Sequence, residues 1–378
     1  MKITESINGL KFAMLVLGVF FTVTLAGCPT PPSTGYIVSV DDVKQLSVAS
    51  KEESLIIYNI DDQNDPLSEI PIQPGDIIMS SQGVDGEGYL RKALAVQEID
   101  GKLYVLTEMA GLADAFEEGE ISIPIEFTPE ALEKAGFSIN GYFDMTNKTL
   151  YDNNGLTVKV TRGGIRYVPS GQFDIKWKWS APFLNSLKTN ITGMLSIDMD
   201  VRISATKTRT YSTGDLFTVP IVKVPWSAPP VVGTLELAIP IGFSGSISSG
   251  VTVKAGFDSS SKVGIGTEYS SGSWINTSDL VLHSRVHTPD CTASNSATAT
   301  VYAKPQVRVK VYETVGTGLG VQPYLRGDVK VTPTPKTLSL TVGIDGFVNF
   351  NAKAFGFTAF DYTMNLTGPS YNLLKKTF

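Results

Sequence analysis

The chain has 378 residues and carries 31 Lys and Arg against 37 Asp and Glu, a formal net charge of −6. With no run of basic residues it lacks the electrostatic footprint of a nucleic-acid-binding protein, and its two cysteines exclude a disulfide framework. Aromatic and β-branched residues are plentiful, Gly and Ser are frequent, and helix-forming stretches are few, so a mainly β protein is expected.

Residues 1–11 hold Lys2 and Lys11 with a single acid, Glu5, and residues 12–25 are then uncharged and almost wholly apolar. A positive start followed by an apolar run of roughly 7–15 residues has the form of an export signal. A spanning helix wants about 20 residues, and the Pro-Thr-Pro-Pro that follows Cys28 continues no helix. The run closes on Leu25-Ala26-Gly27-Cys28, which resembles the lipobox of bacterial lipoproteins. That resemblance implies cleavage between Gly27 and Cys28 by a prolipoprotein signal peptidase, a diacylglycerol on the Cys28 sulfur, and often an acyl group on the new amino terminus. Small side chains at Ala26 and Gly27 let a protease reach the backbone, and a thiol is the nucleophile that lipidation requires. One acyl chain binds a membrane with only about 10⁴ M⁻¹, whereas two or more anchor stably. The expectation is a signal over residues 1–27 and a mature chain held to membrane lipid through Cys28. Residues 28–35, rich in Pro, form a stiff spacer. The other cysteine, Cys291, is then left without a partner.

Residues 36–136 read as a small mixed α/β domain. Residues 55–60 (LIIYNI) and 76–79 (DIIM) are short apolar strands, with a loop-forming DDQNDP at 61–66 between them. Over 92–108, Asp100-Gly101 separates two strand-like runs, the strongest short hairpin cue. A short helix is expected within 110–119, where Leu112 and Phe116 stand four apart and Gly119 can end the turn. The order of motifs over 75–119 resembles a pattern of uncharacterised secreted β-rich proteins, which implies no activity. Residues 128–136 form a second short helix: Thr128 caps it, Pro129 suits its first turn and Gly136 its stop. This helix marks the domain boundary.

From residue 137 to 378 the pattern is antiparallel β. Hairpins are expected around Asn153-Asn154-Gly155 and around Gly163-Gly164. Apolar residues then alternate with polar ones through Phe173, Ile175, Trp177 and Trp179, and through Leu195, Ile197, Met199, Val201 and Ile203. The same parity runs along 235–243, 251–257, 307–311 and 338–344. Period-two alternation gives each strand one buried and one wet face, and about ten such strands without helices favour an antiparallel sandwich. Proline-rich stretches at 219–230 and 332–337 read as edge segments or crossovers, because Pro cannot donate to a ladder.

Few residues suggest chemistry. His283, His287, Asp290 and Cys291 form the one cluster of metal-ligand side chains. The flanks of the histidines alternate like a strand, which sets them about 13 Å apart, too far to share one ion bound at about 2 Å. Asp61, Asp62, Asn64 and Asp65 lack the spacing of a calcium loop and read as a polar turn, as does Asp85-Gly86-Glu87-Gly88. Trp177 and Trp179 could stack on a sugar if exposed, but their parity with Phe173 and Ile175 places them in the core. No nucleophile elbow, phosphate loop or dinucleotide fingerprint stands in a suitable setting. The Asn-x-Ser/Thr sites at Asn147, Asn190, Asn276 and Asn365 are incidental behind a bacterial lipobox.

No catalytic residue, metal or cofactor is therefore assigned. The expectation is a lipid-anchored protein of the bacterial cell envelope with a non-catalytic binding or structural role, whose partner is an envelope protein or glycan. Two alternatives compete with it. Repeated alternation and a terminal Phe378 also suit an outer-membrane barrel, although Asn372 and Lys376 sit where such tails are apolar. A sandwich holding a lipid between its sheets is the other.

Overall fold

A computed structural model describes residues 37–42, 46–52, 54–60, 72–81, 88–178, 184–228, 230–312, 314–332, 334–351 and 361–377. Gly27, Cys28 and the spacer, Asp61 to Asp65, the turn at 85–87 and Trp179 lie outside them. Strands dominate, arranged in three open sheets, as the composition and alternation imply.

The first sheet takes β1 (Ile37–Ser39), β2 (Leu46–Lys51), β3 (Leu55–Ile60), β4 (Ile77–Ser80), β5 (Tyr89–Ile99) and β6 (Lys102–Met109), in the order β1-β4-β5-β6-β3-β2. Only β1 and β4 run parallel. Asp100 and Gly101 both have positive φ, 50° and 71°, which makes the tight turn between β5 and β6. Ile56, Tyr58, Ile78, Tyr89, Leu103 and Val105 are among the residues of a small core belonging to this sheet.

The chain then passes through helix α1 (Leu112–Ala115), β7 (Glu118–Ile125) and helix α2 (Pro129–Lys134). Thr128 caps α2 by accepting from the Ala131 amide at 3.3 Å, and Gly136 leaves it with φ of +83°. Strand β7 precedes the boundary read from sequence, yet it pairs with β11 (Ser170–Lys178) in the second sheet, bringing Ile121 and Ile123 opposite Ile175 and Phe173.

The second sheet is built on β12 (Leu184–Ala205) and β15 (Val251–Ser270), paired in unbroken register over their whole shared length. Along its other edge β12 carries β11 and then β10 (Leu156–Tyr167), which in turn holds β8 (Tyr142–Asp144) and β9 (Thr149–Asn153). Beyond β15 lie β16 (Ser273–Asn276), β17 (Asp279–Val286) and β18 (Asp290–Ala293). The hairpin at Asn154-Gly155 joins β9 to β10 through two positive φ angles. The hairpin expected at Gly163-Gly164 does not form. Both glycines lie inside β10, where the backbone runs so close to its neighbours that a Cβ would fall 1.8 Å from the Asp198 carbonyl at Gly163 and 2.1 Å from the Phe143 carbonyl at Gly164.

The third sheet has the order β13-β14-β19-β21-β22-β23, from β13 (Arg209–Ala228), β14 (Val231–Ile247), β19 (Ala297–Ala303), β21 (Thr314–Lys330), β22 (Thr337–Phe350) and β23 (Tyr362–Thr377). The remaining strand, β20 (Gln306–Val311), shares the gap between β14 and β21 with β19. Pro220 and Pro225 sit in β13, an edge strand, where a missing amide costs the ladder least.

The second and third sheets stack face to face. Leu195, Ile197, Val201 and Ile265 of one meet Leu237, Ile241, Val321 and Leu340 of the other in a continuous aliphatic core, with β17 and β23 packed together along one side. Between the sheets lies an apolar gap of about 30 Å³, lined by Val201, Ile203, Val251, Ile247, Leu325 and Leu340 among others. A pocket for a small molecule is about 300–1,000 Å³, so this gap takes an acyl chain only if its walls part.

The barrel alternative is not what these strands build. A transmembrane barrel is apolar outside and polar inside. Here the long central strands carry aliphatic residues inward and Asp198, Asp200, Arg202, Lys254, Asp258 and Lys262 outward. No helix among the described residues is long and apolar enough to cross a membrane.

Candidate functional site: a histidine held between carboxylates

The outer face of the second sheet carries a cluster that the register assembles. On β12, Asp198 and Asp200 alternate with the buried Met199 and Val201, so both carboxylates point away from the core. Across the ladder Asp198 pairs with Asp258 of β15, and Asp200 with Gly256. His287 comes just after β17. Its amide donates to the Gly256 carbonyl at 2.9 Å, which extends the ladder and lays the imidazole beside residue 256. A Cβ there would come within 2.0 Å of Asp200 Oδ1 and 2.6 Å of His287 Nδ1. Glycine gives the ring its seat.

The imidazole is gripped at both nitrogens. Nδ1 lies 2.7 Å from Asp200 Oδ1, and Nε2 lies 3.0 Å from Asp258 Oδ1. Arg162 closes the cluster, with Nε 3.1 Å from Asp200 Oδ2 and Nη2 3.4 Å from Asp198 Oδ1. It reaches them because β10 shifts register against β12 between Val160 and Arg162, a bulge that re-aims the side chain. Gly163, at φ +96°, carries the strand on from there.

Partial burial opposes a charge on His287, but hydrogen bonds to Asp200 and Asp258 and the charges of both outweigh it and raise its pKa. Burial likewise works against the Asp200 carboxylate, while His287 and Arg162 hold its pKa below the usual range. One donor atom from each of Asp198, Asp258 and His287 lies within 4.8 Å of the other two.

The residues singled out in the sequence are dispersed. His283 is exposed on β17 opposite Ser260, four ladder positions from where His287 meets Gly256. Asp290 and Cys291 pair with Lys254 and Val253 through β18, so the ladder holds them, like His283, apart from His287. The Cys291 thiol is half-buried, and burial with the nearby Asp290 pushes its pKa up despite Lys336. Trp177 is buried with its indole N–H donating to the Phe116 carbonyl at 3.2 Å, as its parity requires. Arg162, Asp198, Asp200 and Asp258 were not legible as partners. Their one signal is the acid pair at alternate positions on the wet face of a strand.

A second polar feature covers part of the outer face of the third sheet. Two grooves of about 310 and 400 Å³ adjoin at Asn349. Lys304, Gln322, Asp345 and Asn365 line the first, and Gln306, Arg308, Asp361 and Thr363 the second. Beside them Tyr302 and Tyr324 oppose each other across β19 and β21. Amide, hydroxyl and charged groups at this density can hydrogen-bond a polar ligand.

Compared with protein-family models, with curated proteins and with solved structures, the chain matches none.

Proposed function

We propose that this protein is a lipid-anchored component of the bacterial cell envelope with a binding role. Cys28 carries the acyl chains, residues 29–35 hold the body off the lipid, and the sandwich offers its polar outer faces to an envelope protein or glycan. The observation that carries the reading is Leu25-Ala26-Gly27-Cys28 at the end of an uncharged apolar run. Two features of the fold support it. Strand β1 begins at Ile37, close in sequence to Cys28. The amide-rich grooves around Asn349 supply a surface suited to a hydrogen-bonding partner.

The test is made in the native host. The mature protein should sediment with membranes, lack residues 1–27 by intact mass and carry added acyl mass on Cys28. Replacing that residue, Cys28→Ser, should release the protein into the soluble fraction without detergent. A wild-type mass that retains residues 1–27, or a bare thiol on Cys28, overturns the reading.

A further inference from the structure

We infer that the outer face of the second sheet is a site for a divalent first-row cation of the zinc type, held by His287 Nε2, Asp258 and Asp198. The argument starts from the imidazole. Its Nδ1 is committed to Asp200 at 2.7 Å, and Asp200 is itself fixed by Arg162 at 3.1 Å. A carboxylate on one ring nitrogen is the usual device that orients a metal-ligating histidine and strengthens its other nitrogen as a donor. That other nitrogen, Nε2, faces a carboxylate oxygen of Asp258 at 3.0 Å. Two lone pairs so close repel unless a positive centre, a proton or a metal ion, sits between them.

Asp198 argues for the metal. It is the direct cross-strand partner of Asp258, and its carboxylate belongs to the same group of donors within 4.8 Å. Zinc takes nitrogen and oxygen ligands at about 2.0–2.2 Å, and half-exposed carboxylates can close that distance by rotation. Charge points the same way: Asp198, Asp200 and Asp258 outnumber the guanidinium of Arg162 among the groups in contact. Arg285 stands opposite Asp258 on β17. The three ligands come from β12, from β15 and from the residue after β17, so the ion would clip three strands together. The remaining coordination positions face outward, where His287 also borders a groove of about 400 Å³ with Ser284, Pro289, Leu374 and Lys376. A ligand from a partner molecule could complete the shell there. This inference is independent of the lipid anchor and can fail without it.

Titrating Zn²⁺ into the purified full chain by calorimetry should show one equivalent bound. His287→Ala and Asp258→Asn should each weaken binding at least tenfold. Asp200→Asn touches no metal, yet it should weaken binding about 10–100-fold by freeing the ring. Arg162→Gln releases Asp200 at its other end and should weaken Zn²⁺ binding in the same direction as Asp200→Asn, whereas a merely structural ion-pair knot takes up no Zn²⁺ in the wild type or in any variant. His283→Ala and Cys291→Ser should leave the stoichiometry unchanged. Circular dichroism verifies that each variant is folded, and the exposed Asp258 and Arg162 positions keep the test open if His287→Ala is not. No saturable binding by millimolar Zn²⁺, or full binding retained in folded Asp258→Asn and His287→Ala, overturns the site.

Discussion

Asp41 ties the start of the described chain to the end of β4. Its carboxylate accepts from the Ser80 hydroxyl at 2.7 Å, from the Ser81 amide at 2.6 Å and from the Ser81 hydroxyl. Burial alone would raise the pKa of this group, but these donors favour the charged form and hold it below its ordinary value. A carboxylate depressed in the folded state stabilises fully above its unfolded pKa and loses that contribution as pH falls through the folded one. Asp41→Asn should therefore unfold at lower urea than the wild type at pH 6, and the gap should close as pH falls below about 4. Urea midpoints for both chains at pH 6, 4 and 3 check this, and a gap that widens on acidification contradicts the assignment. Nothing in the sequence announces the contact, because its partners lie 39 and 40 positions apart and share no motif. His287 is similar. Its residue type was visible, but Gly256, which seats the ring, acquires meaning only once β12, β15 and β17 are in register.

At the level of strands, glycine and aromatic residues recur as direct cross-strand partners. Trp226 lies over Gly233, Tyr302 over Gly242, Phe347 over Gly320, Tyr324 over Gly343 and Trp177 over Gly119. The absent side chain lets each ring lie down on the sheet, so the glycine loses little packing and the aromatic gains a flat contact. This accounts for so much glycine within long strands, where it otherwise weakens pairing. A Cβ on Gly343 would meet the Tyr324 ring at 2.3 Å. Gly343→Val should destabilise the protein by about 1–3 kcal/mol through that clash. Combining it with Tyr324→Thr should recover most of the loss, since two β-branched residues then face each other. A double-mutant cycle in urea measures the coupling, and additive losses would show that the ring does not depend on the glycine. The same effect misled the reading at Gly163-Gly164, where a pair that looks like a turn instead permits close backbone approach in a continuous strand.

For the whole molecule, alternation carried the architecture because burial on a β-strand has period two and two stacked sheets obey it everywhere. Leu195, Ile197, Met199, Val201 and Ile203, and likewise Leu338, Leu340, Val342 and Ile344, point into the core as expected. Strand lengths were less visible. The inward face of β15 passes from Phe257 through Ser259 and Ser261, both buried, before Val263 and Ile265 resume the apolar run, so the signal breaks while the strand goes on. The same alternation also suits a barrel, and sequence could not say which face meets water. The fold does, and neighbouring residues test it. On β12, Met194 is 55% exposed on the outer face opposite Lys262, whereas Leu195 is 1% exposed in the core. In a sandwich Leu195→Asp buries an unpaired carboxylate and should cost on the order of 4 kcal/mol or prevent folding. Met194→Asp meets water and a lysine and should stay within about 0.5 kcal/mol. A barrel would keep this order for a different reason, because position 195 would then face lipid, where a charge is costly, and position 194 a wet lumen. Urea midpoints of the two variants against the wild type check which face of β12 is buried: a stable Leu195→Asp beside a failing Met194→Asp would turn the sheet over.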